Sequence, residues 1–80
     1  SIDEVDAQLL QLIEKRLRIV ESVAAYKIEN KLDIVDSSRE SALLDRVHSL
    51  SSDDLVDLNE DIYRAIISAS CKHQDKIINN

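Results

Sequence analysis

Eighty residues contain neither a glycine nor a proline, and that double absence constrains the fold more than any motif that is present. Without glycine there is no phosphate-cradling loop, no dinucleotide fingerprint and no tight type I′ hairpin. Without proline there is no polyproline ligand segment. What remains is a chain whose apolar residues keep helical time from end to end. Ile2, Val5, Leu9, Leu12, Arg16, Ile19, Val23, Tyr26 and Asn30 recur at alternating spacings of three and four, the period of a helix face. Leu10, Ile13, Leu17, Val20, Ala24 and Ile28 widen that stripe beyond a strict two-stranded seam. The spacing predicts one helix from about residue 2 to 30, roughly 43 Å long at 1.5 Å per residue.

Two further helices follow. Ser37 and Glu40 have capping-box spacing, which predicts a short second helix over about 38–50, with Ala42, Leu43, Leu44, Val47 and Leu50 as its apolar side. Ser51-Ser52-Asp53-Asp54 predicts the next break, with either serine as cap of a third helix over about 53–77. The joint at Lys31–Asp36 holds Ile34 and Val35, which read as loop anchors because no partner strand is in sight. The expected fold is all-α, one domain over 1–80, with helices long, short and long. A compact 80-residue globule spans only about 30 Å, so the first helix overhangs it and carries its apolar stripe beyond. A second copy of the chain is the simplest cover, and an intertwined helical homodimer is expected. A monomeric bundle with a frayed first helix is the alternative.

Composition narrows the partners. Ten basic against sixteen acidic residues leave a net charge of −6, unfavourable for duplex DNA or an anionic membrane. Two tyrosines are the whole aromatic complement, too few for a base-stacking surface. No apolar run approaches the ~18 residues of a membrane span, and no signal-peptide pattern opens the chain. No nucleic-acid or membrane partner is therefore expected, and the chain is placed in the cytoplasm. The single cysteine, Cys71, allows no internal disulfide or cysteine-cluster zinc site and reads as a small helix residue. His48 and His73 have no ligand-spaced partner and read as surface residues.

Against this background two cations are out of place. Arg16 occupies a stripe position among Leu12, Ile13, Ile19 and Val20, and Lys27 edges the same stripe. Eleven residues separate them, close to three full turns, so both point the same way about 16 Å apart. Two explanations are open. The long stems can lie on apolar surface while the heads reach water, or an anion between the helices can hold both heads. Asp36 and Glu40 are ordinary residues for a helix start. Arg39 is less expected in a first turn, although a solvated arginine accounts for it. Ser70 and Gln74, at i and i+4, share one face of the third helix, and in isolation they read as exposed polar positions. No nucleophile–histidine arrangement can be assembled. The pattern alone thus yields a helical dimer with an internal polar pocket for a small anion.

At this point the chain resembles the all-helical (type II) chorismate mutases, in their small single-domain form. Ile2 to Arg16 is close to that family's I-x-x-[IL]-D-x-x-L-x-x-L-[LI]-x-x-R, and Val23 to Lys27 matches V-x-x-x-K. Ile34-Val35-Asp36-Ser37-Ser38-Arg39-Glu40 matches I-x-D-x-x-R-E, and Ser70 to Gln74 matches S-x-x-x-Q. Each motif is weak alone, but all four occur in order across nearly the whole chain. The resemblance implies an isomerase of aromatic amino-acid biosynthesis (the shikimate pathway) that turns chorismate into prephenate, with no cofactor and no metal. It implies that Arg16 binds a substrate carboxylate and that Lys27 and Gln74 donate to the ether oxygen of the breaking bond. Arg39 would hold the carboxylates, Asp36 and Glu40 would lie near the substrate hydroxyl, and Ser70 would line the pocket. Lyase activity on isochorismate, on the same scaffold, is one alternative; a catalytically weak dimerisation or regulatory module is the other.

The chain departs from the pattern in two places. Lys31 and Asp33 stand where the family's joint commonly has Gly and Pro, and a lysine lacks easy access to positive φ, so a different or strained turn is expected. The family's opening Arg, which reaches into the partner subunit's site, would fall two residues before Ser1. Weakened catalysis is the expectation for the sequence as it stands.

Overall fold

The computed structural model describes residues 1–79, so the last residue of the expected 1–80 domain lies outside the described residues. Three helices make up the fold: α1 (Ile2–Asn30), α2 (Ser37–Leu50) and α3 (Val56–Ile78). There is no strand among the described residues.

The ends of these helices follow local chemistry. The Ser1 side chain accepts from the Glu4 N–H at the start of α1, and Asp3 and Glu4 in the first turn oppose the positive end of its dipole. The opposite end of α1 turns through Lys31, which sits in the left-handed region at φ 54°, ψ 45°. The Lys31 N–H donates to the Ile28 carbonyl at 3.3 Å and the Leu32 N–H to the Lys27 carbonyl at 2.9 Å. This is the Schellman pattern that usually ends on glycine. The missing glycine therefore leaves the turn type unchanged and loads the strain onto Lys31, at a cost of about 1–2 kcal/mol.

Two expected caps are corrected. α2 is capped by Asp36, whose carboxylate accepts from the Arg39 N–H at 3.1 Å, and Ser37 is already the first helical residue. An ionised carboxylate one position upstream offers the same geometry with more charge at the dipole's positive end. Neither Ser51 nor Ser52 caps α3. That helix starts after Leu55 with no side-chain cap, because residues 53–55 form a separate turn. Ser51 serves the turn instead. Its hydroxyl donates to the Val47 carbonyl at 2.5 Å and accepts from Asn59 Nδ2 at 2.9 Å.

α2 and α3 form an antiparallel pair tied at the turn end by Ser51–Asn59 and by His48 Nε2 to Glu60 Oε2 at 2.9 Å. α1 packs against α3, while α1 and α2 do not pack directly on each other. The core of one chain is small: Val20, Ala24 and Val47 are its buried apolar residues. Ile2, Val5, Leu9, Leu10, Leu12 and Ile19 of α1 stay exposed, as do Leu55, Leu58 and Ile62 at the start of α3. The molecule measures 41 × 28 × 14 Å. Its accessible surface is 6469 Å², against about 4,900 Å² for a compact monomer of this mass. The excess is about twice the ~800 Å² per partner of a standard interface, and counted over two chains it falls in the range of obligate dimers.

Candidate functional site

α1 and α3 face each other along Val20 and Ala24, and the polar groups of the site flank that contact. Arg16 lies one turn before Val20, and Lys27 lies just under one turn after Ala24. Their heads turn inward. Arg16 Nη1 donates to Ser70 Oγ at 2.5 Å, and Lys27 Nζ donates to Gln74 Oε1 at 2.8 Å. Ser70 and Gln74, which the sequence read as exposed in isolation, are each only 6% exposed. One turn apart on α3, they face the two cations three turns apart on α1. The long stems of Arg16 and Lys27 converge across that difference.

Each hydrogen bond fixes a direction. The Ser70 hydroxyl accepts from Arg16, so its own proton goes elsewhere, to the Ile66 carbonyl at 2.9 Å. An ammonium can only donate, so Lys27 takes the oxygen of the Gln74 amide and leaves the NH₂ group available. A second Lys27 proton goes to the Ile34 carbonyl in the joint at 2.7 Å. One of its three remains uncommitted.

The third wall is the start of α2. Asp36, Arg39 and Glu40 reach the cavity from there, with Asp36 and Arg39 exposed and Glu40 half-buried. All seven residues singled out in the sequence line one cavity of ≈100 Å³. That is well below the ~300–1,000 Å³ of a typical small-molecule pocket. The cavity opens to solvent on one side, so a single chain supplies only part of an enclosure.

The sequence did not point to Cys71 as part of this cavity. It is half-buried, and its thiol donates to Glu40 Oε1 at 3.8 Å. Burial and then the neighbouring Glu40 carboxylate push the thiol pKa up, against an opposing pull from Lys27. The group therefore stays a protonated donor at neutral pH. Its position three residues before Gln74 was the available clue, since i and i+3 share a helix face. The apolar lining is Val20 and Val23 from the α1 stripe, Leu43 from the apolar side of α2, the joint anchor Ile34, and Ile67 of α3, which the sequence had not singled out.

His48 is exposed, whereas His73 is half-buried and meets Glu21 Oε2 across the α1–α3 contact at 3.4 Å, which corrects its reading as a plain surface residue. Arg18 and then His73 hold the Glu21 carboxyl below its ordinary pKa. Among the described residues no group of three or more His, Cys, Asp or Glu side chains could hold a metal ion. No helix among them is long and apolar enough to cross a membrane.

The scaffold is all-helical and sets two cations, a hydroxyl and an amide around a small cavity, and the comparisons give its family. The family model described as chorismate mutase type II matches residues 1–75, and the chain belongs to that family. It is 31% identical over 81 residues to the bifunctional chorismate mutase/prephenate dehydratase of Buchnera aphidicola subsp. Schizaphis graminum, covering 99% of this chain and 21% of that protein. It is 36% identical over 59 residues to the chorismate mutase of Methanocaldococcus jannaschii, covering 74% of this chain and 60% of that one. The chain thus spans about a fifth and three fifths of the length of these relatives. No solved structure matches it significantly.

Proposed function

We propose that the chain is a chorismate mutase acting as a homodimer, rearranging chorismate to prephenate in the cavity between α1, α2 and α3. The observation that carries this reading is the pairing of two half-buried cations on α1 with two buried polar residues on α3, Arg16 with Ser70 and Lys27 with Gln74. An unpaired cation in such a seam is costly, and here each has a neutral partner and spare donors. A dianion is the ligand that such a set favours.

The reaction is unimolecular. The ether C–O bond breaks as a C–C bond forms, with no covalent intermediate and no cofactor or metal required. Arg16 and Arg39 grip the two carboxylates, Arg16 through the guanidinium donors that Ser70 leaves free, and so select the compact conformer in which the reacting carbons approach. Negative charge grows on the ether oxygen as the bond lengthens. The free Lys27 proton and the Gln74 NH₂ group are donors for that charge, and their mutual hydrogen bond orients them before substrate arrives. Glu40, with Asp36 nearby, accepts from the substrate hydroxyl, and Ser70 contacts a carboxylate or hydroxyl.

The dimer reading is supported by the exposed stripe of α1 and by the excess surface. A second copy laid over residues 2–19 would cover the stripe and close the open side of the cavity.

The test is to follow the ultraviolet absorbance of chorismate and identify the product by NMR. Catalysed conversion to prephenate is expected. No rate above the uncatalysed one from folded, dimeric protein, or release of pyruvate and salicylate from isochorismate instead, overturns the reading.

A further inference from the structure

Lys27 is held by the joint at both of its polar ends. Its backbone carbonyl accepts from the Leu32 N–H at 2.9 Å, and its ammonium donates to the Ile34 carbonyl at 2.7 Å. Two residues past Ile34 is Asp36, the cap of α2, whose carboxylate and carbonyl accept from the N–H groups of Arg39 and Glu40. That end of α2 has few other supports. The side-chain ties between α2 and α3 at Ser51–Asn59 and His48–Glu60 lie at the opposite end. Near the cavity the long Cys71–Glu40 contact of 3.8 Å is the only side-chain hydrogen bond between the two helices among the described residues, and α1 makes no close backbone approach to α2.

We propose that Lys27 is a positioning residue for the α2 wall of the site, holding Arg39 and Glu40 in place through the Ile34 carbonyl and the Asp36 cap before any ligand binds. Removing the ammonium leaves a part-buried carbonyl in the joint without its donor. The joint, already strained at Lys31, then loosens together with the first turn of α2. Gln74 touches the ammonium from the α3 side and is not a partner of the Ile34 carbonyl or of the Asp36 cap. The inference rests on the proposed function only for what Arg39 and Glu40 would bind. The positioning itself concerns the ligand-free chain.

The experiment is amide hydrogen exchange on ligand-free protein, comparing K27M, K27R and Q74A with the unsubstituted chain. In K27M the Leu32, Arg39 and Glu40 amides should exchange roughly ten- to a hundredfold faster, the scale of one charge-assisted hydrogen bond. Amides of α3 should keep their protection. K27R retains a charged donor and should restore most of the effect, while Q74A should leave the three amides unchanged. Unaltered exchange in K27M, or equal acceleration in Q74A, overturns the proposal. Should K27M lose protection throughout, the unsubstituted chain decides. A slowly exchanging Lys27 ammonium signal in NMR, coupled through the hydrogen bond to the Ile34 carbonyl carbon, supports the positioning. An ammonium signal averaged with solvent contradicts it. Both readouts are made without substrate, so a failure of the chorismate mutase reading leaves them interpretable.

Discussion

The two halves of α1 obey the same apolar period and end in different circumstances. From Arg16 to Lys27 α3 covers the side of the stripe that carries Val20 and Ala24, and the cations at its ends are hydrogen-bonded to Ser70 and Gln74, while Ile19 and Tyr26 stay exposed. From Ile2 to Leu12 it faces nothing, with Ile2 still 75% and Leu12 64% exposed. Periodicity specifies a face without saying what covers it. In the C-terminal half much of the cover comes from the same chain, and polar residues stand among the apolar ones. In the N-terminal half the stripe is almost purely apolar and uncovered, and the proposed dimer rests on that face.

The largest expected effect comes from attacking the C-terminal half. K27M removes the proposed donor to the breaking bond and should lower kcat by about 100-fold, roughly 3 kcal/mol, while sedimentation should still report the proposed dimer. The complementary attack is L12D in the N-terminal half. A carboxylate placed in an apolar seam should weaken self-association at least about tenfold, seen in analytical ultracentrifugation, with activity lost only as the dimer dissociates. If L12D had no effect on association, the two halves would not differ in the way proposed.

A subtler contrast concerns protons. In the proposed mechanism Gln74 donates through an amide that does not titrate, so the rate should be nearly flat between about pH 5 and 8. Q74E would need its carboxyl protonated to donate, so its rate should fall as pH rises through this range. A pH–rate profile of both proteins checks this, and an unsubstituted rate that collapsed toward pH 8 would count against Gln74.

The smallest effect lies where α1 ends. K31G relieves the left-handed strain at φ 54° and should stabilise the fold by about 1 kcal/mol after the added freedom of the unfolded chain is subtracted. Thermal melts at one fixed protein concentration give the comparison, because a dimer's melting point depends on concentration.

The helices were legible because their periodicity is regular and nothing interrupts it. The ends were less so. Asp36 and Ser37 are both competent caps one residue apart, and Ser51 and Ser52 could not be told from a cap when the chain inserts an extra turn before Val56. In the site, Arg16 and Lys27 were conspicuous because charge breaks an apolar pattern. Ser70 and Gln74 were not, since polar residues on a helix are ordinarily solvated and only the approach of α1 buries them. Cys71 was invisible for the opposite reason: a small thiol fits a packed helix anywhere, and its contact with Glu40 depends on the angle at which α2 meets α3.

The central claim is that the cavity between Arg16 and Lys27 binds a dianion as the ether bond of that dianion breaks. Calorimetric titration with a bicyclic dicarboxylate shaped like the rearrangement's transition state tests it most directly. The account predicts one molecule bound per chain, much more tightly than chorismate, with binding greatly weakened in both R16A and K27M. Binding that is absent from the intact dimer, or equally tight in those two variants, would contradict it.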